Sequence, residues 1–159
     1  MKVLFVSRQN TARSILAEAS LNALSKGRFH ALSCGSPQHL GTAFHPMALQ
    51  ALRKAGLAPP AGPCKSWDAV ARGVHRLDFV ITLSADVEGQ EPPWPGQPVT
   101  ALWAYPDVAM ATDRGSGVPE AMVQTLHSLR RRLELFTSLP MRGDRAELRW
   151  DLRDLGFLA

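Results

Sequence analysis

Cysteine is scarce in this sequence, which has only Cys34 and Cys64 among its 159 residues. In a chain without a secretion signal, two cysteines are more often free thiols than a disulfide. Long apolar runs are also missing, and none approaches the roughly 18 residues that cross a membrane. The start, MKVLFVSRQN, turns polar after Val6 and is too short for the core of a signal peptide. We therefore expect a cytoplasmic protein that does not associate with membranes.

Strong charge bias is lacking too, because the net charge is only +4. Part of the excess lies in the run Arg130–Arg132 on a predicted helix, which we interpret as a solvated face. No basic stripe interleaved with aromatic residues suggests a nucleic-acid partner. No internal repeat and no long linker divides the chain, so we predict one domain spanning residues 1–159.

Apolar runs and helical periodicities alternate along the chain. The predicted strands are Lys2–Val6, Phe29–Ser33, Leu77–Leu83 and Val99–Trp103. The predicted helices are 12–24 and 45–55, followed by one after Pro119 and one from Asp144. Because parallel neighbouring strands need crossover connections, this order predicts a single α/β domain with a central four-stranded parallel sheet flanked by helices. Ligands of such sheets lie beyond the carboxyl ends of the strands.

The loop Ser7–Ser14 follows the first predicted strand and leads into the first predicted helix. Backbone N–H groups at a helix start lack helical partners, and the helix dipole adds partial positive charge there. Arg13 adds a planar fork that matches two phosphate oxygens, and Asn10 tolerates left-handed backbone in a tight loop. The segment therefore predicts a P-loop-like cradle for a tetrahedral oxyanion, with a purely structural turn as the alternative.

Several segments resemble the low-molecular-weight protein tyrosine phosphatases, and most of all their arsenate reductase branch. These segments are VSRQNTARSILAEA (6–19), LSCGS (32–36), FHPMALQALRKAG (44–56), CKSWDAV (64–70) and LDFVITLS (77–84). The first segment matches the C-x5-R-S signature of the family except at the cysteine position, which is Ser7. The resemblance covers nearly the whole chain and implies the family's three-layer α/β/α fold.

The resemblance also implies roles for residues that match the family pattern. Arg13 matches the oxyanion-binding arginine, Ser14 the hydroxyl beside the nucleophile, and Asp107 the general acid, although Val108 replaces the usual proline. The residues of the cradle are Arg8, Gln9, Asn10, Thr11, Ala12 and Arg13. The positions that bind potassium in some reductases of this type are Asn10, Glu18, Ser33 and Asp68. No other metal and no cofactor is implied.

Three departures from the family pattern concern sulfur chemistry. Ser7 stands where the family has its nucleophilic cysteine, and Ser84 and Glu91 stand where reductases have further redox cysteines. A cradle of this kind lowers a thiol pKa from about 8.5 to give a thiolate, but the same field does not ionise a serine hydroxyl. Cys34 and Cys64 lie at other positions, and a relay between these two stays open from the sequence.

Three functions therefore compete. The first is an oxyanion-binding family member that is catalytically silent, with phosphate, arsenate, sulfate or a phosphotyrosine protein as ligand. The second is a cysteine-to-serine variant of an active phosphatase or reductase, for which thioredoxin or a small thiol would be the reductant. The third is a non-catalytic regulatory or interaction module. Trp103 and Tyr105 either flank the substrate, as aromatic residues do in such phosphatases, or belong to the core.

Overall fold

The computed structural model describes residues 1–108 and 118–158, and its centre is a four-stranded parallel sheet. The strands are β1 Lys2–Ser7, β2 His30–Gly35, β3 Phe79–Thr82 and β4 Val99–Leu102. Their order is β2-β1-β3-β4, and every neighbouring pair is parallel. This confirms the predicted α/β class and the four strands, with ends that differ by at most two residues. The limits 1–159 of the domain stay a prediction, since residues 109–117 and 159 lie outside the described residues.

Five helices connect or follow the strands. They are α1 Arg13–Ser25, α2 Pro46–Lys54, α3 Trp67–Gly73, α4 Val118–Thr137 and α5 Arg145–Leu155. Helix α3 was not predicted, because seven residues are too few to show a helical period. Its start is fixed instead by Ser66, whose hydroxyl accepts from the Ala69 amide at 3.2 Å. Among the described helices, none is long and apolar enough to cross a membrane.

The core lies on both faces of the sheet, because alternate residues of each strand point to opposite sides. On one face Phe5 and Ile81 join the apolar sides of α1, α2, α4 and α5 in the larger cluster. On the other face Leu4 and Val80 join Trp67 of α3 in a smaller cluster. Strand β1 is central and buried from Val3 to Ser7, which explains its continuous apolar sequence.

The run Arg130–Arg132 does not form one solvated face, so that interpretation is wrong for its last residue. Arg130 and Arg131 are exposed, but Arg132 is buried on the side of α4 that packs inward. Its Nη2 donates to the Leu158 carbonyl at 2.6 Å, and its guanidinium lies 4.6 Å from the centre of the Tyr105 ring. Three consecutive residues cannot share one side of a helix, because each step turns by about 100°.

Candidate oxyanion-binding site

The loop between β1 and α1 lies at the carboxyl end of the central strand and is fixed by its own carbonyl groups. These accept backbone N–H bonds from the surrounding chain: Ser36 to Arg8 at 3.0 Å, Gly41 to Gln9 at 2.9 Å, and His45 to Thr11 at 2.8 Å. Since the N–H and C=O of one peptide unit point in opposite directions, carbonyls bonded outward turn the intervening amides toward the loop's interior. This is the geometry of a backbone anion nest.

Two of the predicted cradle amides are already engaged by hydroxyl groups. The Arg8 amide donates to the Ser84 hydroxyl at 3.0 Å, and the Asn10 amide donates to the Ser7 hydroxyl at 3.2 Å. Within residues 1–108 and 118–158, the other predicted cradle amides have no protein acceptor; they belong to Gln9, Thr11, Ala12, Arg13 and Ser14. The donor set for an anion is therefore centred on the second half of the loop and the start of α1.

Asn10 braces the loop from inside. Its backbone is left-handed, with φ of 58°, as predicted from its residue type. Its Nδ2 donates to the hydroxyls of Ser14 and Ser33, both at 2.9 Å, and its Oδ1 accepts from the Lys65 amide at 2.9 Å. One buried side chain thus joins the loop to α1, to β2 and to the segment before α3.

The position of Gly35 explains why the LSCGS segment has a glycine there. It ends β2 beside the loop, and a Cβ there would lie 2.8 Å from the Asn10 nitrogen and 2.8 Å from the Gln9 carbonyl carbon. Real Cβ atoms essentially never approach backbone atoms so closely, so any side chain at position 35 would displace the loop.

Ser7 lies at the start of the loop and is almost fully buried. Its hydroxyl donates to the Ser14 hydroxyl at 2.7 Å and accepts from the Asn10 amide. The predicted pairing of Ser14 with position 7 is therefore present in the geometry. No histidine or carboxylate in the described part of the chain hydrogen-bonds to Ser7, so no general base contacts it.

Arg13, the first residue of α1, is buried and reaches the loop that follows β4. Its Nη1 donates to the Tyr105 carbonyl at 2.8 Å, and its Nη2 lies 3.4 Å from Oδ2 of Asp107. Burial lowers the pKa of Arg13, and the neighbouring Asp107 carboxylate opposes that shift. The guanidinium stays charged at neutral pH. The structure therefore brings together the two side chains that were predicted to bind the oxyanion and to act as general acid.

The two aromatic residues before Asp107 belong to the core. Trp103 is fully buried, and its Nε1 donates to the Leu152 carbonyl at 2.9 Å. The Tyr105 hydroxyl pairs with the Ser128 hydroxyl at 2.9 Å on α4. Of our two interpretations the core is therefore correct, and Trp103 does not flank a cleft. Tyr105 serves the site through its backbone carbonyl.

The sulfur positions contain no redox pair. Cys34 and Cys64 are both free and buried, and burial raises the pKa of each thiol. The reductase positions hold polar bonds instead. Ser84 accepts from the loop, while the Glu91 carboxylate accepts from the Thr82 hydroxyl at 2.8 Å and from a nearby backbone amide. The segment after β3 is thus fastened without sulfur.

Three of the four predicted potassium ligands lie together. The Ser33 hydroxyl donates to Glu18 Oε1 at 2.6 Å and accepts from Asn10. Burial raises the pKa of Glu18, which means that its carboxylate is poorly compensated by its protein neighbours. Asp68 has no hydrogen bond or ion pair to the other three in the described ranges.

Sequence reasoning missed the backbone groups that complete the site. The Tyr105 carbonyl orients Arg13 and the Lys65 amide orients Asn10, but backbone groups carry no residue signal. It also missed the surroundings of the Arg8 side chain, which lies 3.5 Å from Asp86 and 3.4 Å from His39 Nδ1. The sequence did show a basic residue, Arg8, within the anion loop, and an acidic or imidazole partner for it could have been expected from that.

Comparison with known proteins gives the same family as the sequence motifs. Residues 2–105 match the family model described as low molecular weight phosphotyrosine protein phosphatase. No curated protein sequence matches the chain.

Solved structures share the fold at low identity. An arsenate reductase from Archaeoglobus fulgidus is 23% identical with a TM-score of 0.66, and the match covers 86% of this chain and 99% of that one. An arsenate reductase in the phosphate binding state is 22% identical with a TM-score of 0.69, covering 84% and 94%. A low-molecular-weight protein tyrosine phosphatase from T. tengcongensis is 24% identical with a TM-score of 0.65, covering 87% and 99%.

Proposed function

This chain belongs to the low-molecular-weight phosphotyrosine protein phosphatase family, and from that premise we propose that it binds a tetrahedral oxyanion without turning it over. The binding site is the loop Ser7–Ser14. Its ligand is phosphate, arsenate, sulfate or the phosphate group of a phosphotyrosine protein. The observation that carries the proposal is the buried Ser7 hydroxyl, held by Ser14 and Asn10 inside an otherwise complete anion loop.

Binding is supported by donors that need no thiol. Five of the six residues Gln9–Ser14 have backbone N–H groups without an acceptor in the described part of the chain, and they lie at the positively polarised start of α1. Arg13 uses only part of its donor fork on Tyr105 and Asp107. A bound oxyanion would therefore meet both backbone dipoles and a buried positive charge.

The proposed lack of catalytic turnover is supported by the lack of an activated nucleophile. A serine hydroxyl attacks phosphorus only when a base removes its proton, and the Ser7 proton is directed to another neutral hydroxyl. Reduction of arsenate additionally requires a sulfur atom that binds arsenic and a second thiol that closes a disulfide. The two buried thiols, with their raised pKa values, do not supply that chemistry.

A second candidate is favoured by the position of Asp107. Its carboxylate lies next to Arg13, where an acid would protonate the leaving oxygen of a phosphoester. With a cysteine at position 7, a thiolate would attack phosphorus, Arg13 would bind the equatorial oxygens, and Asp107 would donate the proton. The chain would then be a serine variant of an active phosphatase, or of a reductase that uses thioredoxin or a small thiol.

The test combines binding and rescue. Phosphate and arsenate are titrated into the protein by calorimetry, with Ser7→Ala as a matched control that keeps the loop but removes the hydroxyl. The Ser7→Cys variant is assayed on p-nitrophenyl phosphate, and on arsenate with thioredoxin or a small thiol. Saturable binding without turnover by the unmodified protein is the expected result. Robust hydrolysis by the serine form would overturn the proposal.

The outcome for Ser7→Cys separates the candidates. Activity restored by the thiol would support a parent enzyme that a single residue disables. Binding without restored activity would support a receptor or sequestering protein. If no oxyanion binds at all, the loop is vestigial and a regulatory or interaction role replaces both. We also propose a cytoplasmic location, which fractionation of the source cells would test.

A further inference from the structure

A groove of about 780 Å³ lies at the β4 edge of the sheet, on the face that carries the smaller core cluster. The apolar sides of α4 and α5 pack on the other face. The floor of the groove is formed by the exposed Thr100 and the half-buried Leu102 of β4, and its inner edge reaches Val80 and Thr82 of β3, which are themselves buried. Among the described residues, α3 is the single α-helix joined to the smaller core cluster, and the turn at Val87 adds one further buried side chain. Strand β3 is buried on this face, but its neighbour β4 has no α-helix of the described chain over it here, which leaves the groove.

The two walls of the groove differ in charge. One wall is α5, which contributes Arg149 and Arg153, one helical turn apart. Neither guanidinium has an ion pair in the part of the chain that the structure describes. The other wall is the segment after β3, with Glu88 and Glu91. Glu91 is engaged by the Thr82 hydroxyl and the Gly89 amide, so its charge is stabilised internally.

Aromatic surface flanks the floor at both sides. Trp94 lines the wall that follows β3 and is half-buried. Phe157 lines the α5 side, although 84% of its surface is exposed, and it is the most exposed large apolar residue of the described chain. A groove of this volume lies within the usual range for small-molecule sites, about 300–1,000 Å³.

We propose that this groove binds a planar aromatic anion, a ligand with a flat ring and a carboxylate, sulfonate or phosphate group. The ring lies on Thr100 and Leu102 between Trp94 and Phe157. The anionic group points to Arg149 and Arg153, which form charge-assisted hydrogen bonds with it. The Arg153 guanidinium lies 5.3 Å from the centre of the Trp150 ring but has no ion pair among the described residues. The site lies outside the loop Ser7–Ser14 and does not depend on oxyanion binding there.

A pair of fluorescent probes isolates the charge requirement. 8-Anilinonaphthalene-1-sulfonate carries the ring system and an anion, and N-phenyl-1-naphthylamine carries the same rings without the sulfonate. The expected result is saturable one-to-one binding of the sulfonate and weaker binding of the neutral probe. Titrations are repeated with excess phosphate, which lacks a ring and should leave the groove occupied by the probe.

Substitutions in the groove and away from it test where the probe binds. The double substitution Arg149→Gln/Arg153→Gln should weaken sulfonate binding roughly fivefold and leave the neutral probe unaffected, since exposed ion pairs are weak and fivefold corresponds to about 1 kcal/mol for the two together. The matched control is Arg131→Gln/Arg142→Gln, two exposed arginines away from the groove, and Glu88→Gln should not weaken binding. Thr100→Trp should block it by filling the floor.

Two results would overturn the inference. One is equal sulfonate affinity in the groove double variant and in its control. The other is displacement of the probe by phosphate from the groove double variant as readily as from the unmodified protein, which would put the probe in the loop Ser7–Ser14. Because phosphate binding is measured separately by calorimetry, failure here is distinguishable from failure of the proposed function. Both groove arginines are exposed, so their replacement leaves the core unchanged, and circular dichroism verifies this.

Discussion

The Arg13 guanidinium lies 3.4 Å from the Asp107 carboxylate, and the same side chain donates to the Tyr105 carbonyl at 2.8 Å. The buried arginine of the anion loop is thus paired with an anion of the protein itself. A ligand oxyanion has to share Arg13 with Asp107 or displace it. The ion pair therefore lowers oxyanion affinity, in addition to placing an acid at the site.

Asp107→Asn should strengthen phosphate binding several-fold at neutral pH. The amide keeps the size of the side chain but removes the negative charge that competes for Arg13 and repels the ligand; a partly exposed pair of this kind is worth about 1 kcal/mol. Calorimetric titration with phosphate measures the change, and Asp154→Asn on the exposed side of α5 is the control. Weaker binding in the Asp107 variant would mean that the carboxylate orients Arg13 rather than competing for it.

The sheet could be predicted from the sequence because burial of its strands makes their sequences apolar. The central strands β1 and β3 are covered on both faces, so nearly every residue of each must be apolar. The anion loop could be predicted because Arg13 and Asn10 are residue types that such loops require. Neither inference depends on contacts between distant parts of the chain.

What sequence could not predict depends on long-range placement. Arg132 belongs to a run of three arginines, and only the packing of α4 decides which of them is buried. Trp103 lies next to the site in sequence, but α5 covers it. The backbone groups that orient Arg13 and Asn10 lie 92 and 55 residues away along the chain. Such relationships carry no local pattern.

Gly35→Ala should weaken phosphate binding at least tenfold, because the added Cβ meets the backbone of Gln9 and Asn10 at 2.8 Å. Backbone cannot move aside like a flexible side chain, so the loop itself must shift, and overpacking of this kind costs about 1–3 kcal/mol. The matched control is Gly73→Ala at the end of α3, where nothing lies within 4 Å of the new Cβ. Calorimetry and thermal melts on both variants check the result; equal affinities would mean that the loop adapts.

Asn10→Ala should lower the free energy of unfolding by about 3 kcal/mol or more. It removes three hydrogen bonds, leaving the Lys65 amide without its acceptor and the buried Ser33 hydroxyl without its donor, at about 1–3 kcal/mol for each unsatisfied buried group. It also places alanine at φ of 58°. Asn10→Gly loses the same bonds without the left-handed strain and should be more stable than the alanine variant by about 1 kcal/mol. Urea denaturation measures both, and a loss below about 1 kcal/mol for alanine would contradict the bracing role.

Glu18→Gln should change how stability depends on pH. Burial raises the native pKa of Glu18 above its ordinary value of 4.5, so between these two values the native state binds more protons than the unfolded state. The free energy of unfolding therefore falls as pH rises through that window. Glutamine still accepts the hydrogen bond from Ser33 but does not titrate, so the variant lacks this pH-dependent loss of stability. Its Tm advantage over the unmodified protein should be small at or below the ordinary value of 4.5 and grow as pH rises above it. Exposed Glu134→Gln is the control, and a pH-independent difference would sink the assignment.

We propose potassium binding beside Glu18, at Asn10, Glu18 and Ser33, with Asp68 as the fourth candidate. A cation there would stabilise the ionised form of Glu18, which burial alone disfavours. At neutral pH, potassium chloride should then raise the Tm of the unmodified protein more than an equal concentration of sodium chloride, and binding to the native state alone accounts for such a shift. The difference between the salts should disappear in Glu18→Gln, because the charge that attracts the cation is gone. If both salts act equally on the unmodified protein, the raised pKa of Glu18 reflects burial without a resident ion, and the cluster serves only to orient Asn10.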